Sequence, residues 1–223
     1  MQLRHEVKLE ISQLDMLLLR QRLRAVLRPD SHAKNGRYTI RSLYFDTPDD
    51  RALREKLDGA FVREKYRIRM YDHDTRVIHL ERKYKRGALG CKTAADLRRA
   101  QAQSIIDGDV SWLAQSSDAF LREFYAQVQS ARLRPAVIVD YTREPFVHPA
   151  GNVRVTLDYD IRTGLRSTDF FSASCPTIPI PDAPCVLEVK WDGFLPEVVR
   201  GAIQLDSRHA AAFSKYAACR MYE

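Results

Sequence analysis

The 223-residue chain has no long apolar run. Its longest stretches, such as residues 16–19, span only a few residues, whereas a membrane-spanning helix needs about 20. The opening MQLRHEVKLE alternates charged and apolar side chains, so no secretory signal is expected. Cysteine is scarce, with four at positions 91, 175, 185 and 219. No pair has the two-residue spacing of a zinc or redox motif. A reducing, cytoplasmic compartment and free thiols are therefore expected, although Cys175 and Cys185 flank a proline-rich stretch across which they could pair. There is no internal repeat, and residues 1–223 read as a single domain. What is present is an ordinary globular composition, 45% hydrophobic and 29% charged. A chain of this length buries about 70% of its unfolded surface and needs no staples. Lys and Arg total 36 against 29 Asp and Glu, a net charge of +7. That excess suits nucleic acid, nucleotides, polyphosphate or anionic lipid, and equally a mildly basic protein with no anionic ligand.

Alternation with period two dominates the sequence. It predicts strands over residues 4–11, 37–45, 61–71, 76–85, 136–147, 153–159 and 185–191. Asp72-His73-Asp74 turns the third strand into the fourth as a hairpin, and residues 149–152 turn the fifth into the sixth. Helices are predicted over residues 12–27, 93–106, from Ser117 onward, 196–205 and 209–221. Ser12 caps the first, with Asp15 placed for a capping box, Leu14, Leu18, Leu23, Val26 and Leu27 as its apolar stripe, and Pro29 stopping it. Residues 164–184, rich in Ser, Thr and Pro, read as a long loop.

The strands share a division of faces. Arg63, Lys65, Arg67 and Arg69 fall on one side of their strand, with Tyr66, Ile68 and Met70 on the other. Four like charges on one face repel unless an anion sits opposite. The same split sets Arg4, Glu6 and Lys8 against Val7 and Leu9, and His79, Glu81, Lys83 and Lys85 against Ile78 and Leu80. Arg154, Thr156 and Asp158 oppose Val153, Val155 and Leu157, and Glu188 and Lys190 oppose Leu187 and Val189. An open antiparallel sheet with one wet face gives this alternation too. Two features point further. Arginine is heavily used, and its planar fork matches phosphate. Carboxylates at Glu6, Glu81, Asp158 and Glu188 sit among the cations, as oxygen ligands for a divalent metal beside phosphate would.

These segments carry a resemblance. RHEVKLEI (residues 4–11), SLYFDTPDD (42–50), REKYRIRMY (63–71), HLERKYKRG (79–87), VDYTREPF (139–146), VRVTLDYD (153–160), VLEVKW (186–191) and SKYAACRMY (214–222) together resemble the VTC (vacuolar transporter chaperone) polyphosphate polymerase domain, a branch of the triphosphate tunnel metalloenzymes. The resemblance implies an α+β fold: an antiparallel closed β-barrel of about eight strands forming a basic tunnel, with helices packed outside. Carried over by motif position, Lys8, Arg67, Arg69, Lys83, Lys92, Arg143, Arg154, Lys190 and Lys215 would bind ATP and inorganic polyphosphate or triphosphate. Arg67, Arg69, Arg143, Arg154 and Glu188 would be catalytic. Glu188, with Glu6 and Glu81, would serve Mn²⁺ or Mg²⁺. The wider superfamily opens with Glu-x-Glu-x-Lys, whereas Arg4 stands here in place of the first glutamate. That departure, similar in VTC-type members, disfavours the thiamine-triphosphatase and class IV cyclase branches.

The implied reaction is transfer of the ATP γ-phosphate to a growing polyphosphate chain. Two rivals stay open: an inorganic triphosphatase using the same tunnel, and a non-catalytic polyanion-binding module. A nucleic-acid partner is not expected, because Tyr66 and Tyr84 fall on the apolar face and only Tyr141 and Tyr71 on the charged one. Association with a membrane would come through a separate membrane-protein partner. The sequence leaves the oligomeric state open.

Overall fold

The computed structural model of the chain describes residues 5–87, 89–205 and 213–222. The strands are β1 His5–Ile11, β2 Arg28–Pro29, β3 Tyr38–Asp46, β4 Val62–Tyr71, β5 Asp74–Arg86, β6 Leu89–Leu97, β7 Arg134–His148, β8 Val153–Thr163, β9 Ile178–Pro179 and β10 Cys185–Trp191. The α-helices are α1 Gln13–Val26, α2 Arg51–Leu57, α3 Arg99–Ile106, α4 Ala119–Ala131, α5 Glu197–Ile203 and α6 Lys215–Met221. Arg4 and residues 209–212 of the last expected helix lie outside the described residues. Among those described, no helix is long and apolar enough to cross a membrane.

The chain divides into two compact units. The first is built from Met1–Thr39, Tyr141–Ile161 and Pro179–Ser214, with strand order β1-β10-β8 and then the second half of β7. Its ladders are antiparallel, pairing Lys8 with Glu188, Glu188 with Thr156 and Lys190 with Arg154. The apolar side of this sheet packs with α1 and α5 around Leu19, Leu23, Val155, Leu157, Leu187, Val189 and Val199, all fully or almost fully buried. The second unit is built from Ile40–Asp140, Arg162–Ile178 and Lys215–Glu223. Its strand order runs from the first half of β7 through β3, β4 and β5 to β6, again antiparallel. Here α3 and α4 cover Tyr66, Ile68, Met70, Ile78 and Leu80, and Phe124 of α4 meets Phe45 and Tyr66 at 5.4 Å ring to ring. The expected antiparallel α+β architecture is therefore present. Each unit's strand path is open, so the expected barrel closure is not among the described ladders.

Local chemistry explains most boundaries. The Ser12 hydroxyl accepts from the Asp15 N–H at 3.1 Å and the Asp15 carboxylate accepts from the Ser12 N–H at 2.9 Å, closing the expected capping box. Asp72 and His73 both take positive φ, 48° and 55°, which matches the right-handed twist of the β4–β5 hairpin. Three expectations are corrected. Residues 93–97 are strand rather than helix, because Ala95 and Leu97 alternate inward and residues 89–97 pair along β5. Helix α3 begins only after Arg98, whose N–H is taken by the Gln101 side chain. Helix α4 is capped by Asp118, not Ser117: its carboxylate accepts from the Phe120 N–H at 2.8 Å. On α1 the buried residues are Met16, Leu19 and Leu23, while Leu14 and Leu18 of the expected stripe are exposed. The cysteines are free thiols.

Candidate functional site

In the second unit, the strand register gathers the cations of β4, β5 and β6 on the face opposite the core. Arg67 lies across from Glu81, Lys65 from Lys83, Arg63 from Lys85, and Lys83 from Lys92. One carboxylate organises this face. Glu81, buried on β5, accepts from Arg67 Nε at 2.8 Å and from Lys92 Nζ at 2.9 Å, with Arg69 Nη1 at 3.8 Å. Burial works against its ionisation, but Arg67, Arg69 and Lys92 outweigh that and hold the carboxyl far below the usual carboxylate range. Arg69 is buried and donates from Nε to Ser42 Oγ at 3.0 Å.

Strand β3 adds a residue to this face that the sequence reading missed. Tyr44, opposite Arg67 in the β3–β4 ladder, is 4% exposed. Arg67 Nη1 donates to its hydroxyl at 2.8 Å. Its ring lies 4.9 Å from that of Tyr216 on α6, and the Lys65 ammonium sits 5.5 Å from one ring and 5.8 Å from the other. Tyr216 in turn bonds Asp46. Asp46 also accepts from the N–H groups of Thr47, Ala52 and Leu53 at the start of α2. Lys215 opens α6 beside this anchored tyrosine.

In the first unit the charged face is centred on Glu188 of β10. Lys190 Nζ lies 2.5 Å from its carboxylate, Arg143 Nη2 3.6 Å and Lys8 Nζ 3.8 Å. Glu6 shares both lysines, at 2.9 Å from Lys8 and 3.8 Å from Lys190. Burial opposes the charge on Glu188, but Lys8, Lys190 and Arg143 overcome it and keep the group ionised well below its ordinary range. Burial opposes the charges on Lys8 and Arg143 as well. Glu188 and Glu6 nonetheless raise Lys8, and Asp158 leads the groups that raise Arg143. Arg143 makes a two-point pair with the fully buried Asp158, at 2.6 and 2.7 Å. Arg154 bonds Asp30 at 2.6 Å and the Tyr38 hydroxyl at 3.0 Å.

All twelve expected site residues thus fall on charged faces or on α6. Lys8, Glu6, Arg143, Arg154, Glu188 and Lys190 come together in the first unit, and Arg67, Arg69, Glu81, Lys83 and Lys92, with Lys215 on α6, belong to the second. Asp158 was legible as a charged-face position, but its role as the partner of Arg143 was not. Tyr44 and Tyr38 also correct the count of aromatics beside the cations. Both are buried and bonded to arginines.

Among the described residues no three metal-ligating side chains cluster. Glu188 nevertheless fits a hard divalent cation as half a site. Thr156 Oγ1 is buried without a hydrogen-bond partner directly opposite Glu188 in the β10–β8 ladder. Mg²⁺ characteristically takes one or two carboxylates and completes its shell with water and phosphate oxygens. Glu81 fits less well, because each of its oxygens already accepts from a cation.

No curated protein sequence matches the chain. Solved structures do match it in fold. A Hippeastrum protein described as a "putative adenylyl cyclase" with a dominant triphosphatase activity aligns with a TM-score of 0.55 at 16% identity, covering 98% of this chain and 95% of that one. A "putative adenylate cyclase" from Bacillus halodurans aligns with a TM-score of 0.54 at 14% identity, covering 91% and 87%. The sequence model of the VTC domain matches residues 3–222, a span that takes in both units and both charged faces, and the chain belongs to the VTC domain family.

Proposed function

We propose that the chain is a metal-dependent polyphosphate polymerase that transfers the γ-phosphate of ATP to the end of a polyphosphate chain. The observation that carries this reading is Glu188: an ionised, buried carboxylate ringed by Lys8, Lys190 and Arg143, in a chain of the VTC family. Such a centre offers phosphate its cations and a divalent metal its oxygen ligand at one place.

Phosphoryl transfer depends on positioning and charge stabilisation more than on covalent chemistry by the protein. The terminal polyphosphate oxygen attacks the γ-phosphorus, the bond to the β–γ bridging oxygen breaks, and ADP leaves. The attacking oxygen is already ionised near neutrality, so no general base is needed. Arg143 and Arg154 on the face of the first unit, and Arg67 and Arg69 on the face of the second, would each hold phosphate and the charge that develops on it. Three are pre-oriented by acidic partners, Arg67 by Glu81, Arg143 by Asp158 and Arg154 by Asp30, so little reorganisation is required. Lys8 and Lys190 would extend the phosphate contacts of the first face, and Lys83, Lys92 and Lys215 those of the second. Glu188, with Glu6 beside it, would hold Mn²⁺ or Mg²⁺. When bound, such an ion would supply neutralisation of phosphate charge.

The deciding experiment is incubation with ATP and Mn²⁺, with and without a short polyphosphate primer, with chains resolved on a gel and free phosphate assayed in parallel. Long chains with matching ADP are expected. Free phosphate without chains would replace the polymerase with a triphosphatase, and no turnover would leave a binding module.

A further inference from the structure

Tyr44 is buried on a face rich in cations. Arg67 donates to its hydroxyl at 2.8 Å, and the guanidinium carbon of the same arginine lies 5.6 Å from the ring. Lys65 sits against the ring from the next position of the face on β4. On its own strand Tyr44 has Ser42, bonded to Arg69, and Asp46, bonded to Tyr216 and the start of α2. Strand β5 brings Glu81, spent on Arg67 and Lys92, and Lys83 opposite Lys65. Strand β7, on the other side of β3, brings Asp140, taken up by Arg41, and the exposed Arg134. Helix α6 brings Tyr216 and carries Lys215 and Arg220, the last bonded to Asp50.

We propose that Tyr44 is a proton-linked positioning residue of the phosphate-binding face: its hydroxyl takes up a proton from solvent when a polyphosphate chain engages Arg67 and Lys65. The inference rests on the phosphate-binding reading above and deepens it. In the absence of ligand, burial acts against ionisation of Tyr44, but Arg67, Lys65 and Arg69, with the hydrogen bond from Arg67, outweigh it and bring the phenol down to about 7. The ionised phenol gives these cations an internal counter-ion beside Glu81. A bound phosphate chain supplies the opposite charge from outside and repels the phenolate, so the proton returns. The neutral hydroxyl still accepts from Arg67, which keeps the guanidinium turned toward the ligand in both states. Tyr216 does not share this role: burial and Asp46 push its hydroxyl well above the usual range.

The sign of the pH dependence follows. Below about pH 7 Tyr44 is already protonated and binding takes up no proton through it. Above that pH each bound chain must return one, so affinity falls as pH rises. The test uses inorganic tripolyphosphate and the whole chain. At pH 8 the ligand-free protein is expected to absorb near 295 nm as roughly one tyrosinate, and the band is expected to disappear on titration with tripolyphosphate. Calorimetry in buffers of different ionisation heat is expected to show roughly one more proton taken up by the wild type than by Tyr44→Phe at pH 8. Protonation of tripolyphosphate itself cancels in that difference. Between pH 7 and pH 8 the ratio of the wild-type to the Tyr44→Phe dissociation constant is expected to rise roughly fivefold. Tyr66→Phe is the control. Burial leads the causes that push the Tyr66 hydroxyl up to about 12, so its loss should leave the band in place. Should Tyr44→Phe fail to fold, the band in the wild type and its loss on binding decide the matter. Tripolyphosphate that binds with no band and no extra proton would overturn the role of Tyr44 while leaving the phosphate face intact. Failure of tripolyphosphate to bind at all would overturn both.

Discussion

Each arginine proposed to hold phosphate has an identifiable reason to point where it does. Arg67 is held by Glu81 and Tyr44, Arg69 by Ser42, Arg143 by Asp158, and Arg154 by Asp30 and Tyr38. Charge-assisted hydrogen bonds of this kind fix geometry and contribute about 1.5–3 kcal/mol each. Arg67→Ala is therefore expected to weaken tripolyphosphate binding by roughly ten- to a hundredfold, measured by calorimetry at fixed salt. Glu188→Gln should behave differently. It leaves Lys8, Lys190 and Arg143 in place without their shared counter-ion, so the ligand-free variant should lose roughly 3 kcal/mol of stability in urea. Tripolyphosphate should still bind and restore that stability, while turnover with Mn²⁺ should be lost. Near-normal turnover would remove Glu188 from the metal site.

At the scale of elements, rotation of a helix about its axis decides which of its leucines matter. Helix α1 carries apolar residues on more than one side, and packing on β10 selects Met16, Leu19 and Leu23. Leu19→Ala is expected to cost about 2–5 kcal/mol, and Leu18→Gln to change stability by no more than about 0.5 kcal/mol, both read from chemical denaturation. The reverse order would mean that α1 is turned the other way. This was not legible in the sequence because a helix with leucines at 14, 17, 18, 19 and 23 offers several stripes of similar hydrophobicity. Only the facing sheet chooses between them. Strand β4 was legible for the opposite reason: with Arg63, Lys65, Arg67 and Arg69 alternating with Tyr66, Ile68 and Met70, a one-residue slip would turn all four cations onto the core face. Strand β6 was not, because Ala94, Ala95 and Leu97 suit a helix as readily as a strand and only pairing with β5 separates the two.

For the whole molecule, two conditions should shift stability in opposite directions. Glu81 and Glu188 are held below the ordinary carboxyl range. Their contribution is fully present above the unfolded value near 4.3 and is lost as pH falls below it toward the folded values. Melting temperature should accordingly drop in acid below about pH 4, and less so for Glu188→Gln. Tripolyphosphate with Mn²⁺ should raise it: at about a hundred times the dissociation constant the gain is roughly 2.7 kcal/mol. The gain should shrink with added salt, since screening weakens contacts to exposed cations. A melting curve unmoved by tripolyphosphate would contradict the phosphate-binding reading.

The sequence by itself determined the alternation of faces, the cap at Ser12, the β4–β5 hairpin and the identity of the cations. Each of these depends on residues a few positions apart, through strand period, local hydrogen bonds or turn geometry. Tertiary structure decided the rest. Glu188 became a centre only when Lys8 was brought opposite it from the far end of the chain and Arg143 was aimed at it beside Asp158. Tyr44 joined the cations only through its register with Arg67 and its stacking on Tyr216, 172 positions away in the 223-residue chain. The physical reason is that a carboxylate or a phenol has no fixed role of its own. Its charge state and its partners are set by what folding places within about 4 Å and by how much water folding removes.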